Sequence, residues 1–188
     1  MSRELVLVRH GETEWSRTMR HTGNTDLALT DAGEEQARGV VARLAGREFA
    51  LVLSSPLQRA RRTAELAGFG DRAELDDDLR ERDYGAYEGL TTKEIRRERP
   101  GWDVWRDDVP GGEPLEALAA RADLVIERAL AADGDTLVFA HAHLLRMLGA
   151  RWIGLGPDGG GKLVLATASV SVLGSERERR VIRRWNWT

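Results

Sequence analysis

The four histidines of this 188-residue chain lie at positions 10, 21, 141 and 143, in two widely separated groups. Each group begins near the end of an apolar run: His10 follows LVLV and Arg9, and His141 follows TLVFA. A core has no need of an imidazole beside a guanidinium, and burying such groups without partners is costly. Both groups bind anions well. We therefore predict that the two histidine groups meet at a site for an anionic ligand.

The chemistry open to these residues is phosphoryl transfer. Arg9 and Arg59 can bind phosphate oxygens through paired, charge-assisted hydrogen bonds, and positioned cations stabilise a transferring phosphoryl group without a metal. A neutral imidazole can attack phosphorus, which makes His10 a candidate nucleophile. The leaving alkoxide needs a proton, which a carboxyl group can supply when burial raises its pKa. Glu81, in the glycine-containing segment LRERDYGAYEG, is the best candidate for that acid.

Apolar periodicity predicts the elements that carry these residues. Short apolar runs at 5–8, 50–53 and 136–140 predict three buried strands. Helices are predicted after Thr30, after Ser55, and over 91–99, 113–132 and about 144–153. For the second helix we expect Ser55 as N-cap, Pro56 at the first position and Gln58 completing a capping box. The remaining predictions are a short strand or extended segment within 73–83, a loop over 102–114, and two strands over 163–187 with a turn near Ser175.

Strands that alternate with helices predict an α/β fold. We expect one domain over residues 1–188, a three-layer α/β/α sandwich whose sheet is largely parallel, with the last two strands as an antiparallel edge. Such sheets bind ligands at the carboxyl ends of their strands. Arg9-His10, Ser54-Ser55 and His141 all lie at predicted strand ends, so they can meet in space.

Composition limits the partners. The apolar share of 41% and charged share of 31% are typical of a folded globular protein, and a net charge of −3 gives no basic field for nucleic acid or an acidic membrane. The absence of cysteine excludes disulfides and thiolate sites. The first apolar run is four residues long and is interrupted by Arg9, which is typical of neither a signal peptide nor a membrane span. We expect a cytoplasmic protein.

Four segments, in this order, resemble the histidine phosphatase family in its phosphoglycerate mutase-like branch. They are LVRHGETEW, similar to the RHG motif; SSPLQRARRTAE, with a second phosphate arginine; LRERDYGAYEG, with the acid/base glutamate; and FAHAHLLR, with a second histidine. The resemblance covers nearly the whole chain and implies a phosphoglycerate mutase-like fold with no cofactor and no metal. The catalytic residues that it implies are His10, Arg9, Arg59, Glu81 and His141. The phosphate- or substrate-binding residues are Ser16, Thr22, Gly23, Arg82, Tyr84 and Ala142.

Departures from the family pattern bear on the reaction. Ser16 stands where many members have Asn, and Ala142 where Gly often follows the second histidine. The segment ERDYG is close to the ERHYG of the mutases. However, their substrate-binding Lys is replaced by Thr92, with Lys93 one place later, and residues 106–107 are Arg-Asp in place of their Arg-Arg pair. We therefore expect hydrolysis and not mutation.

Other roles are open to the second pair of histidines, to His21 and to two of the tryptophans. His141 and His143 could together ligate a metal, because alternate residues of a strand share a face, although few other ligands are available. Otherwise we expect His143 behind the site and His21 at its rim. Trp102 and Trp105, on the long loop, are candidates to border the pocket.

The sequence thus predicts a metal-independent phosphomonoesterase that acts through a phosphohistidine. Expected substrates are small phosphorylated metabolites, such as sugar phosphates, or the broad range of an acid phosphatase. Glu81 is expected to be protonated at the start, which gives an acidic or near-neutral optimum. The alternatives are a phosphoglycerate mutase and a non-catalytic module that binds phosphorylated ligands. Neither nucleic acid nor membrane is expected as a partner, and a homodimer stays open.

Overall fold

The computed structural model of the protein describes residues 3–188. Within that range the strands are β1 (Leu5–Arg9), β2 (Leu51–Ser54), β3 (Glu74–Leu75), β4 (Thr136–Ala140), β5 (Val170–Glu176) and β6 (Arg179–Trp187). The α-helices are α1 (Glu14–Arg17), α2 (Asp31–Leu44), α3 (Gln58–Leu66), α4 (Thr92–Glu98), α5 (Leu115–Ala131) and α6 (Ala142–Trp152). Short 3₁₀ segments occur at Gly70–Arg72, Asp77–Leu79, Gly85–Tyr87 and Pro157–Lys162. No helix of residues 3–188 is long and apolar enough to cross a membrane.

The strands form one sheet in the order β3-β2-β4-β1-β5-β6. The neighbours β3-β2, β2-β4 and β4-β1 are parallel, whereas β5 runs antiparallel to both β1 and β6. The predicted fold class, with its largely parallel sheet and antiparallel edge, is confirmed. The register pairs Arg9 with Ala140, so His10 and His141 follow directly on two adjacent strand ends.

Alternate residues of the central strands bury their side chains in two separate cores. Leu5 and Leu7 pack in the core that α5 and α6 cover, whereas Val6 and Val8 pack in the core that α2 and α3 cover. This arrangement explains why β1 and β4 are apolar at consecutive positions: both faces of the sheet are covered. The helices on the two faces complete the predicted three layers.

Two boundaries differ from the predictions. The capping box after β2 is wrong: α3 begins at Gln58 with Leu57 as its N-cap, and no side chain of residues 3–188 caps it. The Ser55 hydroxyl accepts from the Leu57 amide at 3.3 Å and contacts His141 Nε2 at 2.7 Å, so it serves the site as well as the chain before α3. Residues 163–169 are not a strand, because the hairpin begins only at Val170, and its turn lies at 177–178, where Arg177 has a φ of 53°.

The loop after β1 is pressed against the start of α2. A Cβ built on Gly11 would lie 2.2 Å from the Gly33 carbonyl oxygen, and one on Gly33 would lie 2.1 Å from the carbonyl oxygen of Glu12. Thr30 caps α2, as predicted, by accepting from the Gly33 amide at 3.0 Å, and its own amide donates to the Glu12 carbonyl at 2.9 Å. Only glycine at positions 11 and 33 permits this approach, which fixes the backbone that carries His10.

Candidate active site

A cavity of about 360 Å³ opens at the carboxyl ends of β1 and β4. The sequence-predicted residues that line it are Arg9, His10, Ser16, Thr22, Glu81, Tyr84 and Ala142. The remaining lining residues are Met19, Arg20, His21, His143, Arg146, Val164 and Leu165. Segments that are far apart in the chain therefore do converge, as the strand-end argument requires.

His10 is buried at the end of β1, with its amide donating to the Ala140 carbonyl at 3.0 Å. Its Nδ1 lies 2.7 Å from the carbonyl oxygen of Gly11. A carbonyl can only accept, so Nδ1 carries the proton and the neutral ring keeps a free lone pair on Nε2. Burial, followed by the cations Arg59 and Arg9, holds the pKa of His10 well below its ordinary value of 6.5. The ring is therefore neutral at neutral pH, the state that a nucleophile needs.

His141 is fully buried, and its ring centroid lies 5.2 Å from that of His10. Its Nδ1 accepts from Arg59 Nε at 3.1 Å, so in the neutral ring Nε2 carries the proton and donates to the Ser55 hydroxyl at 2.7 Å. Burial, Arg59 and His10 hold the pKa of His141 well below its ordinary value. A shared metal site with His143 does not fit this geometry, because residue 143 lies inside α6 and its Nδ1 contacts the Tyr84 hydroxyl.

Arg59 lies behind the cavity lining and is fully buried in α3. Its guanidinium donates to the carbonyls of Gly23 at 2.8 Å and Thr25 at 2.9 Å, in addition to His141. Gly23, predicted to bind substrate, is likewise outside the lining, and its amide donates to the Glu88 carboxylate at 2.8 and 3.0 Å. In this structure Gly23 anchors Arg59, and the Arg59 charge acts on both histidines.

Arg9 borders the cavity and donates from one terminal nitrogen to the Leu165 carbonyl at 2.6 Å. Its buried Nε has no hydrogen-bond partner within residues 3–188. Burial lowers the pKa of Arg9 to about 10, so the side chain stays charged at neutral pH. A partly buried guanidinium with an unused donor suits an anionic ligand.

Glu81 is buried, and backbone amides hold both of its oxygens. The amides of Arg82 and Leu144 donate to Oε1 at 2.9 and 3.0 Å, and the amide of His143 donates to Oε2 at 2.9 Å. Burial raises the pKa of Glu81, but the hydrogen bonds that it accepts, with those from His143 foremost, outweigh burial and hold the pKa well below its ordinary value. The expectation that burial keeps Glu81 protonated is therefore wrong for the ligand-free protein, because the first turn of α6 supplies donors to the carboxylate.

Three other residues that were predicted to bind phosphate or substrate, Arg82, Ser16 and Tyr84, make contacts within the protein. The Arg82 guanidinium does not reach the cavity lining; it donates to the carbonyls of Glu113 and Val104 at 2.9 and 2.5 Å. Ser16 borders the cavity, but its hydroxyl exchanges hydrogen bonds with the Thr13 backbone in the capping box of α1. Tyr84 also borders the cavity, and its hydroxyl contacts His143.

Some lining residues had no role in the sequence prediction. Arg146 is one helical turn after Ala142, and this i, i+4 spacing on α6 was a usable signal. Met19 and Val164 are 80% and 73% exposed at the rim, and no sequence pattern identifies such rim positions. His21, which the sequence analysis expects at the rim of the site, lines the cavity, and burial lowers its pKa to about 4.

The two tryptophans of the long loop stand outside the cavity lining. Trp102 is buried, packing against Tyr87 with ring centroids 5.3 Å apart. Trp105 stacks on the His143 ring at 4.9 Å. The long loop therefore supports the site from behind and does not border it with these two rings.

Residues 5–188 match the profile of the histidine phosphatase superfamily, branch 1. The chain belongs to this superfamily. An acid phosphatase of Mycobacterium tuberculosis is 40% identical to this histidine phosphatase over 92% of the chain and 86% of the relative. A sedoheptulose 1,7-bisphosphatase of Saccharomyces cerevisiae is 37% identical over 80% and 68%, respectively. Other relatives are named phosphoglycerate mutases, one of them 39% identical and from Azorhizobium caulinodans.

The fold is shared with solved structures. That of an open reading frame product of Mycobacterium tuberculosis superposes with a TM-score of 0.94, at 38% identity over 99% of this chain and 98% of the other. Family and relatives together confirm the predicted enzyme class: the histidine phosphatase is a phosphoric monoester hydrolase.

Proposed function

We propose that this histidine phosphatase hydrolyses small phosphorylated metabolites in two steps, through a phosphohistidine on His10 and without a metal. The observation that carries the proposal is the hydrogen bond between His10 Nδ1 and the Gly11 carbonyl at 2.7 Å. It fixes the tautomer, so that Nε2 is the unprotonated nitrogen of a ring bordering the cavity.

In the first step His10 Nε2 attacks phosphorus while cations hold the phosphoryl oxygens. Arg9 supplies donors at the cavity wall, and the Arg59 charge acts from behind through its hydrogen bond to His141. His141 is fully buried outside the cavity lining and its Nε2–H donates to Ser55, so we propose that this N–H turns to the phosphoryl oxygens when substrate binds. Such preorganised donors stabilise the charge that develops on the transferring group.

Glu81 serves as acid and then as base, but its proton must be acquired on binding. In the ligand-free protein the carboxylate is ionised. A phosphate dianion beside it places a like charge nearby and raises its pKa, so a proton is taken up with the substrate. Glu81 gives this proton to the leaving alkoxide, and afterwards it takes one from the water that opens the phosphohistidine.

Sugar phosphates are the proposed substrates within the broader class. The name of the yeast relative, sedoheptulose 1,7-bisphosphatase, supports a phosphorylated sugar, whereas the acid phosphatase supports a wider range. The mutase-named relatives keep a second candidate function, phosphoglycerate mutation. Against it, Thr92 stands at the mutase lysine position and its hydroxyl lies 3.2 Å from His21 Nε2. A non-catalytic binding module has no use for a nucleophile and a carboxylate placed together.

The test is phosphate release in EDTA from p-nitrophenyl phosphate and from a panel of sugar mono- and bisphosphates. We expect turnover by the wild type, and His10→Ala should lose a factor of about 1,000 or more. Arg61→Ala, which changes an exposed arginine outside the cavity lining, is the matched control and should keep wild-type turnover. Turnover that requires an added divalent metal would contradict the proposal, and phosphate transfer dependent on a bisphosphate primer would indicate the mutase.

The other sequence-based expectations remain predictions. They are a single domain over residues 1–188, a cytoplasmic location, and the absence of nucleic-acid and membrane partners; a homodimer stays open.

A further inference from the structure

The hydrogen bonds of Glu81 leave one position for a proton. Oε1 accepts two backbone amides, from Arg82 and Leu144, which together use both of its lone pairs. Among residues 3–188, Oε2 accepts a hydrogen bond only from the His143 amide. A proton that Glu81 delivers must therefore arrive at, and leave from, Oε2.

The His143 ring faces that oxygen. Its Nδ1 lies 3.9 Å from Glu81 Oε2 and 2.7 Å from the Tyr84 hydroxyl. The ring is held flat on Trp105, with centroids 4.9 Å apart and an interplanar angle of 26°. Because the backbone amide of residue 143 also binds Oε2, one residue fixes both the carboxylate and the imidazole next to it.

We propose that His143 holds the proton that Glu81 transfers to the leaving group, so that the acid of the reaction is the Glu81–His143 pair. This inference rests on the proposed function and makes His143 a positioning residue that acts through Glu81. When the phosphate dianion binds, His143 takes a proton from solvent at Nδ1. The Tyr84 hydroxyl then turns away from Nδ1, and the ring tilts so that Nδ1–H comes from 3.9 Å to within hydrogen-bond distance of Glu81 Oε2. The proton moves to Oε2 and then to the alkoxide oxygen, as the P–O bond breaks and the bond from phosphorus to His10 Nε2 forms.

The second half of the cycle reverses the path. Glu81 Oε2 takes a proton from the attacking water while the bond to His10 breaks, and the proton returns to His143 Nδ1. The substrate and one water become the alcohol and phosphate, so protons and charge balance over the cycle.

Tyr84 sets the resting state of this pair. The tyrosine is fully buried, and burial raises its pKa well above its ordinary value, so its hydroxyl is a donor. It donates to the unprotonated Nδ1 of His143, which favours the neutral ring until substrate arrives. The titratable and charged groups that face His143 are Glu81 and Tyr84, which contact it, and His21, Arg82 and Arg146, which surround it.

The leaving group provides the test. His143→Gln should lower kcat/KM for glycerol 2-phosphate, whose alkoxide must be protonated, by a factor of about 100, within the range of a general acid. For p-nitrophenyl phosphate, whose phenolate leaves without a proton, we expect kcat/KM to fall about fivefold or less from the same reasoning. The comparison uses kcat/KM because it reports the phosphorylation of His10 and not the later attack of water, which is common to both substrates. The alkaline limb of kcat/KM against pH should move to lower pH in His143→Gln. It should move to higher pH in Tyr84→Phe, because that variant loses the donor that stabilises neutral His143.

Equal losses on both substrates, with an unmoved alkaline limb, would show that His143 only packs against the site and would overturn the inference. Unchanged kinetics in His143→Gln would also overturn the inference. Failure of the proposed function has a different signature, since His10→Ala would then keep its turnover of both substrates. Orthovanadate affinity and far-UV circular dichroism of each variant verify that a loss does not come from unfolding.

Discussion

Arg59 and His141, which are 82 positions apart, are joined by a hydrogen bond between two fully buried side chains, with Nε–H donating to Nδ1 at 3.1 Å. Because an arginine does not lose its proton in proteins, this contact compels Nδ1 of His141 to accept. The proton of the neutral ring then lies on Nε2, toward Ser55. One guanidinium thereby fixes the tautomer of the second histidine, as the Gly11 carbonyl fixes that of His10.

Ser55→Ala should impair both stability and turnover. It leaves the buried Nε2–H of His141 without an acceptor, so we expect the free energy of unfolding to fall by about 1–3 kcal/mol. We expect kcat to fall by about tenfold, because the ring orientation is no longer fixed on both sides. Urea unfolding and steady-state phosphate release measure the two effects.

The neighbouring Ser54→Ala is the control for that substitution. The Ser54 hydroxyl is equally buried but donates to the Ser55 carbonyl at 3.0 Å and not to a histidine. Its loss should cost about 1 kcal/mol of stability and leave kcat unchanged. A Ser55→Ala enzyme as active as Ser54→Ala would show that the contact with His141 does not serve catalysis.

Gly33→Ala should displace the loop that carries His10. The new Cβ would lie 2.1 Å from the Glu12 carbonyl oxygen, so backbone must move. We expect a stability loss of about 2 kcal/mol or more, as for other overpacked sites, together with reduced turnover.

The matched substitution on the same helix is Gly39→Ala, whose Cβ would lie 3.9 Å from an Arg43 nitrogen, an ordinary van der Waals contact. There a helix-favouring residue replaces glycine, and we expect a gain of about 0.5–1 kcal/mol with normal turnover. Thermal unfolding of both variants tests this difference. Similar melting temperatures for the two would show that the contact between the loop and α2 does not stabilise the fold.

The pattern of apolar residues in the sequence predicted the three layers of the fold and the convergence of the strand ends, because apolar runs and helix caps are local signals. It did not predict that Ser55 contacts His141, since a capping box and a site contact use the same hydroxyl. It also did not predict that Glu81 is ionised, because the three amides that hold it come from residues 82, 143 and 144. Donors from α6 can be recognised only when the fold brings that helix to the loop.

The places of Arg59 and Gly23 behind the cavity follow the same logic. The sequence motifs give the positions of both residues along the chain, whereas their depth behind the cavity depends on how the segment with Thr25 folds over α3. Rim residues such as Met19 and Val164 carry no periodic pattern, so only the structure identifies them.

His10 should stay neutral, and therefore nucleophilic, well below pH 6.5. Its pKa is lowered by burial first and then by Arg59 and Arg9, so its acidic limb in kcat/KM is displaced to low pH. Arg9→Gln removes one cation and should raise the pKa of His10, whereas Arg9→Lys keeps the charge and should not. Carbon-13 NMR titration of the imidazole signals measures this directly.

His21 is the internal reference in those spectra. Its pKa of about 4 is set by burial and by His143, Glu81 and Arg82, and not by Arg9. The pKa of His21 should therefore be the same in wild type, Arg9→Gln and Arg9→Lys. A His10 pKa that does not rise in Arg9→Gln would mean that burial and Arg59 keep the ring neutral without Arg9.

The most direct measurement is to trap the phosphorylated enzyme. Wild type mixed with a ³²P-labelled sugar phosphate, quenched in alkaline denaturant and digested, should yield one labelled peptide containing His10, with a label that is stable in alkali and lost in acid. His10→Ala should give no label, whereas His143→Gln should still give it. A labelled peptide that lacks His10, or phosphate release by His10→Ala at the wild-type rate, would contradict the assignment of His10 as the nucleophile.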